Sequence, residues 1–177
     1  MSDLTFKVCI FGDAAVGKTS LVTRYLKGIF DPGYQITVGV DFHTKKIEIE
    51  DNLVTLQIWD FAGEHQFRFI LPGYARGSAG GVFMYDITRH SSLESLDEWI
   101  EIFRSGKQKE LWEAPVLMVG GKLDLQKERE VSTEEASELA ASKDLFGFLE
   151  CSSKTGENVD QIFFVIARAI MEKRGLL

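Results

Sequence analysis

Nine residues near the amino terminus, Gly12-Asp13-Ala14-Ala15-Val16-Gly17-Lys18-Thr19-Ser20, constrain the fold more than any other stretch. They fit G-x-x-x-x-G-K-[ST], the pattern of a loop whose backbone N–H groups wrap around phosphates. Side chains at Gly12 and Gly17 would block the turn and the close approach, Lys18 is a point charge for β- and γ-phosphates, and Thr19 carries a hydroxyl for Mg²⁺. The context is the required one. A strand-like run, Phe6-Lys7-Val8-Cys9-Ile10-Phe11, precedes the loop, and Leu21-Val22-Thr23-Arg24-Tyr25-Leu26 continues it as a helix. That order aims a helix N-terminus, with its unpaired N–H groups and positive dipole end, at an anion. A glycine turn that binds nothing is the weaker alternative.

With 177 residues, the chain has the length of one domain with one sizeable core. Its 20 basic and 27 acidic residues, net charge −7, argue against a nucleic-acid partner, although a local basic pocket can still hold a nucleotide. The two cysteines, Cys9 in an apolar strand and Cys151 beside a polar loop, make no disulfide framework, so a reducing, cytoplasmic setting is expected. No apolar run reaches membrane-spanning length and the amino terminus lacks a signal segment. The carboxyl end, Glu172-Lys173-Arg174-Gly175-Leu176-Leu177, offers no cysteine for prenylation. Either a native tail was trimmed or there is no such anchor, so no membrane anchor is expected within this chain and peripheral membrane association is expected only if a native tail is missing.

Gly and Pro within 27–35 mark a surface loop, of a length that often carries function. Residues 42–50 and 53–59 alternate at period two around Asp51-Asn52, as an antiparallel hairpin does. Beyond Gly80 the pattern becomes buried strands, at 81–87, 115–119 and 146–150, separated by amphipathic helices. Helix starts are signalled by Ser91-Ser92-Leu93-Glu94 and Ser132-Thr133-Glu134-Glu135, both close to capping boxes. The last helix spans about 158–173, with Val159, Ile162, Phe163, Ile166, Ala167 and Ile170 on one apolar face assigned to the core. The expectation is an α/β fold of three layers, with a six-stranded, mixed, mostly parallel sheet flanked by helices. Ligands of such sheets sit beyond the carboxyl ends of the strands.

Three further anchors follow strands. In Trp59-Asp60-Phe61-Ala62-Gly63, Asp60 can hold the water shell of Mg²⁺ and Gly63 can offer its N–H to a terminal phosphate, while Thr37 can add a hydroxyl to the metal and its own N–H to the same phosphate. Asp-x-x-Gly alone is weak, since both are ordinary turn residues; downstream of a phosphate loop and after a strand it is strong. The others are Gly120-Gly121-Lys122-Leu123-Asp124 and Cys151-Ser152-Ser153-Lys154-Thr155. With these in place the chain resembles a Ras-superfamily small GTPase of the P-loop NTPase type, from about Thr5 to Lys173. Its Thr37-Val38-Gly39-Val40-Asp41-Phe42 is similar to the Rab branch.

The resemblance implies a switch that binds GTP or GDP with Mg²⁺ and hydrolyses GTP, of the kind used in signalling and vesicle trafficking. Residues Ala15, Val16, Gly17, Lys18, Thr19 and Ser20, with Tyr34, would bind the nucleotide, and the Thr37 N–H would meet the terminal phosphate. Asp124 would pair with the guanine N1 and N2 hydrogens and the Lys122 stem would lie along the base. Ser153 and Lys154 would close the pocket and Phe30 would stack opposite. Thr19, Thr37 and Asp60 would serve the metal, and Lys18, Gly63 and residue 64 the reaction. Adenine lacks the two donors that Asp124 accepts, leaving that carboxylate unpaired at roughly 1 to 3 kcal/mol or more. In such proteins Phe42, Trp59 and Tyr74 form a surface that effector proteins read, although strand and core packing explains the same residues equally well. An exchange factor and an activating protein belong to the same expectation. A phosphate-loop kinase using ATP fits less well, because the two late motifs together build a guanine pocket and no arginine-rich lid insertion is present.

Two positions depart from the family pattern. Glu64 stands where Gln usually orients the attacking water, and a carboxylate about 4 Å from an anionic γ-phosphate is repelled by roughly 4 kcal/mol at an effective dielectric of about 20. Glu64 acting as base, His65 positioning the water, or hydrolysis waiting on a partner are the three outcomes, the last ranked first. Gly121 stands where the family has an Asn that ties the base loop to the phosphate loop. Its loss removes one or two hydrogen bonds of about 0.5 to 1.5 kcal/mol each. Both departures favour a rival of another class, a non-hydrolysing module that holds nucleotide as structure. Of the histidines, His43 and His90 lack metal-ligand spacing and are expected in solvent; only His65 is placed to matter.

Overall fold

The computed structural model describes residues 2–33, 36–105, 109 and 113–177. Tyr34, expected among the nucleotide-binding residues, lies outside the described residues. Six strands, β1 (Ser2–Phe11), β2 (Val40–Ile49), β3 (Asn52–Phe61), β4 (Gly80–Asp86), β5 (Val116–Gly121) and β6 (Gly147–Glu150), form one sheet of order β2-β3-β1-β4-β5-β6. Only the β2–β3 pair is antiparallel among the described strands; the rest are parallel. The expected mixed, mostly parallel six-stranded α/β sheet is therefore the fold. Helices α1 (Lys18–Lys27), α2 (Leu71–Ala75), α3 (Ser91–Glu94), α4 (Leu96–Arg104), α5 (Thr133–Ser142) and α6 (Val159–Lys173) cover its faces.

Period two explains why the inner strands read as continuous apolar runs: successive side chains enter opposite layers, and both layers are dry. Phe6, Val8, Ile10, Val82, Met84, Leu117 and Val119 pack against α1 and α6. Phe11, Phe83, Tyr85, Val116 and Met118 pack on the other face against Leu93, Leu96, Trp99 and Phe103. All six positions assigned to the apolar face of the last helix are buried, and Phe163 stacks on Tyr25 of α1 with ring centroids 3.8 Å apart.

Several boundaries differ from expectation. β1 starts at Ser2 rather than Phe6, because parallel pairing with β3 continues to Ser2 opposite Asn52. Backbone pairing, not side-chain pattern, sets that end. Ser132 caps α5 as expected, accepting a hydrogen bond from the Glu135 N–H. The cap expected at Ser91 does not form: His90 precedes α3 with no side-chain cap, and the Ser92 hydroxyl donates to the Arg89 carbonyl at 2.7 Å and accepts from the Asp86 N–H.

His43 and His90 each hold carboxylates instead of only facing water: His43 pairs with Asp41 at 3.1 Å, and His90 bonds Glu135 at 2.7 Å and Glu94 at 3.1 Å. The hydrogen bonds to Glu135 and then Glu94 raise the His90 pKa above its ordinary value. The folded protein thus holds that proton more tightly than the unfolded chain. The resulting stability is complete below the unfolded pKa of about 6.5 and is lost as pH rises through the raised folded value. With the side chain 42% exposed, solvent screening limits it to a few tenths of a kcal/mol. Urea unfolding of His90→Ala and wild type should differ below the unfolded pKa of about 6.5 and converge as pH rises past the raised folded value.

Candidate functional site

The parallel register gathers the motif loops at one edge of the sheet. Ile10 lies opposite Asp60 and Val82, and Asp86 opposite Gly121, so the segments after β1, β3, β4, β5 and β6 emerge side by side. β2 runs the other way and begins at Val40 opposite Phe61, which brings the loop holding Thr37 to the same edge. Between them lies a cavity of about 310 Å³. One end is lined by residues 14–20 with Thr37, Gly63 and Glu64, the other by Phe30, Lys122, Asp124, Ser153 and Lys154.

Gly17, at φ +105°, turns the chain into α1 in the left-handed region that glycine tolerates. No side chain caps this terminus and no acidic residue occupies its first turn. The leading N–H groups and the positive dipole end therefore face the cavity. Gly63 is needed for a different reason: a Cβ there would overlap the backbone of Asp13 and Ala14, so only glycine lets the end of β3 press onto the phosphate loop.

Lys18 is 6% exposed and donates from Nζ to the Asp13 carbonyl at 2.7 Å. Burial lowers its pKa to about 8, with Asp60, Glu64 and Asp13 pulling back upward. Asp60 is fully buried; burial raises its pKa, against a hydrogen bond from Thr19 and the charge of Lys18. The Thr19 hydroxyl donates to Asp60 Oδ2 at 2.6 Å, the Thr37 hydroxyl to the same oxygen at 3.4 Å, and the two hydroxyls lie 2.5 Å apart. Asp60 Oδ1 has no partner among the described protein atoms. Two hydroxyls and one carboxylate with a buried oxygen to spare make an all-oxygen donor set, which suits Mg²⁺.

At the far end, the Ser152 hydroxyl donates to Asp124 Oδ1 at 2.7 Å and accepts from the Thr155 N–H, orienting an otherwise exposed carboxylate. Lys122 Nζ bonds the Ala15 carbonyl at 3.0 Å and Asp86 Oδ2 at 2.8 Å, so base loop and phosphate loop are tied through the lysine. Arg24 of α1 reaches the carbonyls of Lys154 and Thr155 at 3.3 and 3.2 Å. Glu64 lines the cavity, whereas His65 is exposed and is not among the lining residues. The expected site residues among the described ones all line the cavity or, like Asp60, bond to residues that do.

Sequence reasoning missed Asp13, Ser152 and Met84. Asp13 Oδ1 accepts from Trp99 Nε1 and Ser95 Oγ, both at 2.8 Å, and from Arg68 at 3.3 Å; Arg68 also pairs with Glu98 and lies over the Trp99 ring. This braces the phosphate loop against α4 and the turn His65–Ile70. The partners lie up to 86 positions away, and no local signal announces them. On the outer sheet face, Phe42, Trp59 and Tyr74 form one aromatic surface, with centroids 4.9 and 5.9 Å apart and with Phe42 and Tyr74 exposed.

A phosphate loop opening a helix, a metal-suited aspartate and an oriented carboxylate at the base end together define a phosphate-loop nucleotide-binding protein. The Ras family model matches residues 7–172, and the chain belongs to that family, as a Rab-like small GTPase. It is 39% identical over 171 residues to Ras-related protein SEC4 of Candida albicans, covering 97% of this chain and 80% of that protein. To Ras-related protein Rab-30 of Homo sapiens it is 41% identical over 174 residues, covering 97% and 83%. No helix among the described residues is long and apolar enough to cross a membrane.

Proposed function

We propose that the chain is a Rab-like switch that holds GTP or GDP with Mg²⁺ in this cavity and hydrolyses GTP slowly until a partner assists. The observation that carries the reading is the meeting of Thr19, Thr37 and Asp60, which links the phosphate loop to the loop entering β2. Thr37 leads in sequence to Phe42, so a change at the phosphates is felt at the aromatic surface through which effectors would dock. Mg²⁺, held by Thr19, Thr37 and Asp60, would neutralise phosphate charge. Lys18 binds the β- and γ-phosphate oxygens and the Gly63 N–H donates to the γ-phosphate. Water attacks the γ-phosphorus, the bond to the β-γ bridging oxygen breaks, and GDP and phosphate leave. An exchange factor and an activating protein would set the two directions of the cycle.

Glu64 favours the second reading, a module that binds nucleotide without hydrolysing it. Its carboxylate lines the same cavity as Lys18 and would face the γ-phosphate. Single-turnover hydrolysis of pre-loaded GTP separates the two, with Lys18→Ala as the background control. Glu64→Gln is expected to hydrolyse GTP about tenfold faster than wild type, since removing repulsion near 1.4 kcal/mol suffices for that factor. Wild type at the Lys18→Ala background, while retaining GTP, would leave the non-hydrolysing module as the function.

A further inference from the structure

Gly121 is the glycine that this family pattern does not call for, and its backbone does not require one: its φ lies outside the left-handed region. What stands in the place of a side chain is the flexible end of Met84. A Cβ built on Gly121 would overlap the Met84 terminal methyl, with the Val16 carbonyl 3.2 Å from the same point. The same methyl lies 3.5 Å from where a Cβ on Gly17 would stand. Met84 belongs to β4, beside β5, is 1% exposed and lines the cavity. Its methyl therefore stands between the base loop and the phosphate loop, on the path by which an asparagine at 121 would reach the Val16 carbonyl. Two groups cannot share that space, and a displaced methyl has the cavity as its open side.

We infer that Met84 and Gly121 are a matched pair in which thioether packing replaces the hydrogen-bonded tether between base loop and phosphate loop, making Met84 a positioning residue that governs nucleotide retention. A thioether chain with three rotatable bonds fills the gap without direction, so it holds the loops less firmly than an amide would. A polar tie between the two loops is the Lys122 contact to the Ala15 carbonyl. The inference rests on the cavity taking a guanine nucleotide.

The test is the release rate of N-methylanthraniloyl-GDP from the full chain with Mg²⁺. Gly121→Asn is expected to speed release about tenfold in the wild-type background, where it pushes the Met84 methyl into the cavity that the nucleotide would fill. With Met84→Val the same change is expected to slow release about tenfold relative to Met84→Val alone, because the amide can then form its bonds. Gly121→Ala separates volume from tether: it should speed release beside Met84 and do nothing beside Val at 84. A purely structural role would lower the unfolding midpoint without this reversal of sign. Equal factors for Gly121→Asn in both backgrounds, within about twofold, overturn the pairing. Wild type that fails to retain the probe overturns the cavity reading and the pairing with it.

Discussion

Lys18→Ala is expected to weaken binding of GTP with Mg²⁺ by about two to three orders of magnitude, the largest effect of any single change in the cavity. The ammonium is 6% exposed and donates a hydrogen bond to the neutral Asp13 carbonyl. Its pKa of about 8 reports a charge that burial penalises more than Asp60, Glu64 and Asp13 compensate. A polyphosphate brings the missing counter-charge. Two charge-assisted hydrogen bonds at about 1.5 to 3 kcal/mol each set the scale of the loss. In the nucleotide-free variant the desolvation penalty of the ammonium is relieved while the buried Asp60 loses a counter-charge, so the two effects oppose and the unfolding temperature should shift little. Calorimetric titration of nucleotide-stripped protein measures the first effect and thermal unfolding without nucleotide the second. Binding within about tenfold of wild type would contradict the role given to Lys18.

Asp124→Ala is expected to lower GDP affinity about a hundredfold and to abolish discrimination among purines. Discrimination would depend on a carboxylate whose orientation is set before the base arrives, and the Ser152 hydroxyl donates to its Oδ1 at 2.7 Å. Guanine N1–H and the exocyclic amino group would both donate to that carboxylate, whereas inosine lacks the amino group and adenine lacks both donors. Wild type should therefore prefer GDP to IDP by about tenfold and to ADP by more, each lost bond to a charged acceptor being worth about 1.5 kcal/mol or more. In Asp124→Ala the GDP and IDP values should coincide. Competition of each diphosphate against fluorescent GDP reads all three, and a variant that still prefers GDP would place recognition elsewhere. Ser152→Ala should show a weaker form of the same loss.

Much of this was legible in the chain because it depends on short spacings. The glycine loop between a strand and a helix, the period-two hairpin, the Ser132 cap and the apolar face of the last helix follow from local backbone and side-chain rules. The class of site followed too, since each motif sits directly after a strand and parallel sheets present those ends together. Which atoms meet was decided by register and packing between segments far apart in sequence. The pairing of Ile10 with Asp60 brings Asp60 against Thr19, and the antiparallel return of β2 delivers Thr37 to them. Asp13 reads as a variable loop residue, yet it accepts hydrogen bonds from Ser95 and Trp99 of a distant segment. Gly121 reads in sequence as a lost hydrogen bond; the structure fills its place with the Met84 methyl from the neighbouring strand. The sequence alone determined the elements and the chemistry of each loop, because those are local. Tertiary structure decided partners and vacancies, because a side chain's neighbours across a sheet depend on how strands align and not on the residues beside it in the chain.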